Sequence, residues 1–323
     1  MTTIRWGIIG CGDVTEVKSG PALYKTPDSE LVAVMRRDAD KARDYAARHG
    51  VPKWYDQADA LIADPDVNAV YIATPPDTHA HYTAQVAQAG KPVYVEKPMA
   101  RNHGECLAMI DACRRAGVPL FVAYYRRALP AFLKVQSLVE EGAIGAVRFA
   151  SIALCQPASE DPEDLPWRVV PEISGGGYFF DLASHQLDFL DFLLGPIAHA
   201  SGHATNQAGL YQAEDAVTAS FAFDSGALGA GVWNFAADQH CDRIEIVGDK
   251  GRIAFSTFAF TPVELITNAG TQTFAIDPPQ HVQQPLIQTV VDALLDRGEC
   301  PSTGASAART SQVMDQIVHG STA

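Results

Sequence analysis

Two places in this chain put charge where a folded protein tolerates it least. The first is Tyr94-Val95-Glu96-Lys97-Pro98, in which a run of buried-strand character ends in a carboxylate and an ammonium. Open parallel sheets bind ligands beyond the carboxyl ends of their strands, so charge here calls for a reason. Pro98 holds Lys97 to an extended backbone, which aims the ammonium, and alternation sends Glu96 and Lys97 to opposite faces. The second place is the segment 178–194, nearly all apolar, yet carrying Asp181, His185 and Asp188 at i, i+4 and i+7. That spacing puts the three on one helical face. Isolated buried carboxylates are costly, so the stripe lines a wet cleft, closes into a hydrogen-bond network, or holds a metal. A lysine, a histidine and an aspartate of this kind can pass a proton to and from a substrate oxygen and stabilise an oxyanion.

A third constellation needs a phosphate. Gly10-Cys11-Gly12-Asp13-Val14-Thr15 follows the apolar run 4–9 and opens a helix, the context of a dinucleotide fingerprint. Gly10 permits the tight turn, and Gly12 lets backbone N–H groups, with those of Asp13 and Val14 at the helix start, approach a pyrophosphate. Thr15 stands where glycine or alanine packs closest, and Cys11 reads as space-filling. At the end of the second strand an acidic residue would hold the ribose of NAD(H). Arg36 stands there with Arg37 beside it, which predicts a clamp for the 2′-phosphate of NADP(H), with NAD(H) as the lesser partner. Asp38 fits the N-cap of the next helix better than the ribose. Thr74, Pro75 and His79, after the run 69–73, are also expected at the cofactor, although the His79-x-His81 pair taken alone reads as loop packing.

The elements that must position these groups are legible in the apolar pattern. β-Branched runs at 4–9, 31–35, 69–73, 93–95 and 120–122 alternate with helices delimited by Asp38 and Gly50, Asp77 and Gly90, and Asn102 and Gly117. This predicts a doubly wound, Rossmann-type parallel sheet over residues 1–123. Beyond it the grammar changes to a helix near 130–141, a strand at 147–154, a Pro-rich loop at 157–171, the 178–194 helix, successive strands at 197–275 and two closing helices. Residues 124–323 are therefore expected to form an α+β domain on a large, mainly antiparallel sheet that holds most of the substrate and, through its open face, a second subunit.

Composition narrows the partners. With 38 acidic against 24 basic residues the formal charge is −14, which argues against nucleic acid and anionic membrane. The six cysteines are scattered without a CxxC pair, as suits reduced thiols, and no apolar run reaches spanning length. A cytoplasmic setting is expected.

Taken together, GIIGCG, YIATPPDTHAHY, VYVEKPMA, FVAYYRRALP and GGGYFFDLASHQLDFLDFLLG resemble, in order and spacing, the glucose-fructose oxidoreductase / inositol dehydrogenase / MocA family over the whole chain. The resemblance implies that Lys97 and His185 flank a reacting carbon with Asp181 nearby. Ala183, where the family has glycine, is a mild departure. Trp167-Arg168, Pro171-Glu172 and Gly175-Gly176-Gly177 look like the corresponding stretch of 1,5-anhydrofructose reductases, with Trp167 and Arg168 placed to stack on and bond a polyol. Tyr124 and Arg126 are expected to line the same cleft. The implied activity is NADP(H)-dependent hydride transfer to or from a sugar, cyclitol or related carbonyl/alcohol pair, by a homodimer or homotetramer with no metal. The rival readings are a non-catalytic NADP(H)-binding sensor and a NAD-shuttling or metal-dependent hydrolase.

Overall fold

The computed structural model describes residues 2–320. Six strands, β1 (Ile4–Ile9), β2 (Ser29–Met35), β3 (Lys53–Tyr55), β4 (Ala69–Ile72), β5 (Val93–Val95) and β6 (Leu120–Val122), form one sheet in the order β3-β2-β1-β4-β5-β6. All pairings are parallel. This is the doubly wound order whose switch point lies between β1 and β4. All four residues of β4 are buried, as expected of a strand covered on both faces, and each large aliphatic there contributes roughly 1.5–3 kcal/mol. β3 escapes the sequence reading because three residues at a sheet edge carry no measurable period.

The helix boundaries follow the caps. Asp38 accepts the Lys41 N–H at 3.1 Å ahead of the helix Ala39–His49, and Gly50, Gly90 and Gly117 all adopt positive φ at helix ends. The helix after the glycine loop is broken into Asp13–Val17 and Gly20–Lys25. Pro21 sits where its missing N–H costs nothing, at the start of the second piece.

The second sheet has the order β14-β13-β12-β11-β7-β10-β9-β8. Its strands are β7 (Val147–Cys155), β8 (Ile197–Thr205), β9 (Ala216–Phe223), β10 (Leu228–Asn234), β11 (Cys241–Gly248), β12 (Gly251–Phe255), β13 (Val263–Thr267) and β14 (Gly270–Phe274). Only β7 and β10 pair in parallel. One face lies against the helix Ser184–Leu194 through contacts such as Trp233 Nε1 to Gln186 Oε1 at 2.7 Å. The other face leaves Phe149, Leu228 and Val232 exposed, with Leu228 directly opposite Phe149.

The chain divides into two compact units, and the division is not a single cut at 123. The first unit runs through Ala100, resumes at Gly104–Leu129 and takes back Pro279–Ala308; the second comprises Arg101–His103, Pro130–Pro278 and the chain from Arg309 onward. The returning segment is held by backbone groups that no sequence motif marks. Ser302 Oγ donates to the Val122 carbonyl at 2.6 Å, Arg127 to the Pro301 carbonyl at 2.8 Å, and Phe121 bridges Thr303. Among the described residues no helix is long and apolar enough to cross a membrane.

Candidate active site

In the first unit the glycine loop is built by two different constraints. Gly10 has φ +90°, and a Cβ there would lie 2.5 Å from Thr74 Cγ2 and 2.9 Å from the Thr74 nitrogen. Gly12 is extended, and a Cβ on it would meet nothing nearer than 3.9 Å, where the Arg36 guanidinium and the Gly10 carbonyl stand. Gly10 is therefore required by the fold, whereas Gly12 keeps open a cradle that a side chain would fill. That cradle fits a dinucleotide phosphate, which a helix start favours through its backbone N–H groups. Thr15 is fully buried and ties the loop: its hydroxyl donates to the Gly12 carbonyl at 2.8 Å and accepts the Gly12 N–H at 3.0 Å. Burial pushes the Cys11 thiol up to about 11, consistent with a space-filling role.

Arg36 directly follows β2, is half-buried, and reaches the Cys11 carbonyl at 3.3 Å, so its guanidinium borders the cradle. Arg37 is exposed and lines a cleft of about 340 Å³ with Met35, Gln57, His81 and Tyr82. Asp38 is taken by its helix cap. Thr74 and Pro75 lie on the turn after β4, and the Thr78 hydroxyl donates to Thr74 Oγ1 at 2.7 Å.

His79 departs from the expected cofactor contact. It has no exposed surface, and its ring nitrogens face the carbonyls of Thr74 (2.7 Å) and Met99 (3.1 Å). Burial depresses its pKa although both carbonyls favour the charged ring. The side chain ties the turn after β4 to the turn after Lys97-Pro98 and leaves nothing to offer a ligand.

Lys97 emerges half-buried from the carboxyl end of β5, and its bond to Pro98 is cis. Glu96 beside it is buried. It accepts from Tyr71 Oη (2.5 Å) and Gln283 Nε2 (2.6 Å) at one oxygen and from the Lys97 backbone N–H (3.1 Å) at the other. Tyr124 and Arg126, expected at the substrate, are 1% and 2% exposed, and the Arg126 guanidinium lies 4.9 Å over the Tyr125 ring.

In the second unit Trp167 and Arg168 form a single 3₁₀ turn with Val169, and the guanidinium stacks 4.6 Å over the indole. Arg168 Nε donates to Asp181 Oδ2 at 3.1 Å. Asp181 lies in a π-helical turn, Phe179–Ala183, that precedes the α-helix carrying His185. Such turns are rare and widen the helix locally. The polar stripe is divided among partners: Asp181 pairs with Arg168, buried Asp188 takes the Thr310 hydroxyl at 3.3 Å, and His185 lies edge-on to Phe258 with centroids 5.8 Å apart.

The three glycines before this helix are each required by close approach. A Cβ on Gly175, Gly176 or Gly177 would lie 2.2 Å from the Arg101 carbonyl, 2.2 Å from the Phe180 ring and 2.5 Å from the Glu214 carbonyl, respectively. Glu214 and Glu160, absent from the sequence reading, belong to this region. Glu214 accepts the Gly177 N–H at 2.8 Å, and Tyr178 donates to Glu160. Neither acid sits in a motif, so only distance in space could find them.

Residues 4–124 match the model of the oxidoreductase family with an NAD-binding Rossmann fold, and residues 132–254 match the GFO/IDH/MocA C-terminal domain. The chain belongs to the GFO/IDH/MocA oxidoreductase family. Among its relatives, an oxidoreductase of Formosa agariphila is 41% identical over 97% of both chains, and 1,5-anhydro-D-fructose reductase of Ensifer adhaerens is 28% identical over 93% of this chain and 91% of that protein. The aldose-aldose oxidoreductase of Caulobacter crescentus superposes with a TM-score of 0.86 at 26% identity, covering 98% of this chain and 96% of that one. The chain is thus an oxidoreductase on the fold its sequence predicted, a Rossmann unit joined to a mainly antiparallel α+β unit.

Proposed function

We propose that this protein is an NADP(H)-dependent sugar or cyclitol oxidoreductase in which Lys97 handles the proton at the reacting oxygen. The observation that carries the reading is the first sheet itself, which presents Lys97 at the end of β5 and the Gly10-to-Gly12 cradle at the end of β1, on the same carboxyl edge. Relatives named 1,5-anhydro-D-fructose reductase and myo-inositol 2-dehydrogenase supply the substrate class.

When bound, the nicotinamide supplies or takes the hydride. Lys97 then donates a proton to the oxygen that gains charge during reduction, and its own charge stabilises that oxygen beforehand; in oxidation the same amine takes the proton back. His185 orients or shares that proton. Asp181, held by Arg168, presents with it a donor-acceptor pair suited to neighbouring hydroxyls, and Trp167 offers an apolar face to a sugar ring. Arg36 is the donor fork for a 2′-phosphate, since no carboxylate competes for the ribose at that position.

The test is absorbance at the reduced-nicotinamide band while sugars, inositols, ketoses and osones are offered with NADP(H) and with NAD(H), using wild type, Lys97→Ala and Arg36→Ala. Lys97→Ala should lose about 10²–10⁴-fold in kcat with dinucleotide affinity nearly unchanged. Arg36→Ala should reduce the preference for NADP(H) by about ten- to a hundred-fold, as loss of one charge-assisted contact implies. More than about a tenth of wild-type kcat in Lys97→Ala would remove the lysine from proton transfer. Wild-type binding of NAD(H) as tight as NADP(H) would return Arg36 to a solvating role.

A further inference from the structure

A segment near the end of the chain, 281–283, reaches the first unit's chemistry from the opposite end of the sequence. Gln283 has no exposed surface. Its Nε2 donates to Glu96 Oε1 at 2.6 Å, and its Oε1 accepts from Tyr94 Oη at 3.0 Å. The two partners fix the amide's orientation, because a reversed amide would set its carbonyl against a carboxylate. Tyr71, stacked on Tyr94 with centroids 4.9 Å apart, gives its single proton to the same Glu96 oxygen. The other oxygen holds the Lys97 backbone N–H.

The segment is anchored independently of that amide. The Gln283 N–H reaches the Lys18 carbonyl at 3.3 Å, and the His281 ring lies between Lys25 Nζ (2.7 Å) and the Val17 carbonyl (2.6 Å). A lysine ammonium only donates, so His281 Nε2 accepts and Nδ1–H donates to Val17. These anchors grip the helical pieces that follow the glycine loop.

We infer that Gln283 is a positioning residue for Lys97: its buried amide, with the Tyr71 hydroxyl, holds the Glu96 carboxylate in place, and that carboxylate fixes the backbone from which Lys97 reaches the substrate. The inference rests on the reading of Lys97 as the proton-handling group. A buried carboxylate stripped of one donor relaxes toward water or another donor, and either move releases the Lys97 N–H. Because the anchoring bonds at Lys18 and Val17 involve the Gln283 backbone and His281, replacing the Gln283 side chain leaves the glycine loop in place.

The experiment compares Gln283→Met and Tyr71→Phe with wild type, using whichever sugar supports turnover, and Lys97→Ala runs beside them. Gln283→Met should lower kcat about ten- to thirty-fold, in line with loss of a hydrogen bond to a charged group. Sugar KM and dinucleotide Kd should stay within about threefold. The primary deuterium isotope effect on kcat should grow as the chemical step becomes limiting, and hydrogen exchange across 96–99 should speed about tenfold in the absence of any ligand. Tyr71→Phe, which keeps its ring and its stack, should show the same signature and carries the test if Gln283→Met does not fold. The inference is overturned if kcat stays within about threefold of wild type in the variant that folds, or if kcat falls only with the fraction of dinucleotide sites while the isotope effect and exchange are unchanged. Near-normal turnover by Lys97→Ala would instead overturn the reading of Lys97, whatever Gln283→Met does.

Discussion

Glu96 in the first unit and Asp181 in the second are kept out of water by different means. In the first, Glu96 receives three hydrogen bonds, two from neutral side chains and one from the backbone. In the second, Asp181 takes the Arg168 guanidinium, Asp191 takes Arg309 at 2.6 Å, and Glu214 has only backbone N–H groups, those of Gly177 and of Glu214 itself. A buried carboxylate bound by fixed neutral donors is rigid, and moving it costs several interactions at once. The Arg168 side chain is 45% exposed, so its pair with Asp181 is screened and a ligand hydroxyl can take its place at little cost. Glu96 is built to hold one geometry, and Asp181 to exchange partners.

The largest effect that would break this contrast is expected in the glycine loop. Gly10→Ala meets both a left-handed backbone and the Thr74 nitrogen, so stability should fall by about 2 kcal/mol or more with or without dinucleotide. Gly12→Ala meets neither, and its melting temperature without ligand should match wild type, while dinucleotide affinity should fall about ten- to a hundred-fold because the methyl fills the cradle. Calorimetric titration and thermal melts of both variants separate the two roles. Unchanged affinity in Gly12→Ala would mean that the open space at this loop does not receive the phosphate.

A smaller effect is expected at the exchangeable pair. Arg168→Ala should raise sugar KM about three- to tenfold and lower kcat by less, since a contact away from the reacting carbon is felt about equally in ground and transition states. A fall in kcat larger than the rise in KM would give the Arg168–Asp181 pair the rigidity assigned here only to Glu96.

How much of this was legible in sequence follows the same contrast. The glycine loop, Arg36 and Glu96-Lys97-Pro98 announce themselves because a parallel sheet gathers strand ends, and each motif is contiguous. Asp38 was read correctly as a cap because capping is decided within four residues. His79 was expected at the cofactor although the H-x-H pair alone reads as packing; its burial between two carbonyls, which agrees with the packing reading, depends on Met99, twenty residues on. Tyr124 and Arg126 were placed by neighbourhood in the chain, which carries no signal of how deeply they are buried. Gln283 is 187 residues from Glu96, and Glu214 is 37 from Gly177, so their roles are set by chain return and leave no local signal. The π-helical turn at Asp181 was invisible for the opposite reason: one inserted residue barely disturbs the apolar period of 178–194.

The smallest expected effect concerns Glu214. Its enclosure pushes the carboxyl above the ordinary glutamate range, the N–H groups of Gly177 and of Glu214 itself only partly offset this, and the neighbouring Asp215 adds to it. The folded protein therefore keeps this proton to a higher pH than the unfolded chain does. Between the ordinary value of 4.5 and the raised one, folding binds protons, so stability falls as pH climbs through that window and the penalty is complete above it. Glu214→Gln keeps a carbonyl oxygen for the Gly177 N–H and removes the charge. Its melting temperature at pH 7 should exceed that of wild type, because the glutamine carries no charge for the enclosure to penalise. The gap should close as pH falls toward 4, where wild type is also neutral at this position. A glutamine variant that melts lower at pH 7 would mean that the charged form grips the glycine turn more strongly than burial opposes it. Glu214 would then belong with Glu96 among the fixed carboxylates, and the contrast between the units would narrow to the Arg168–Asp181 pair.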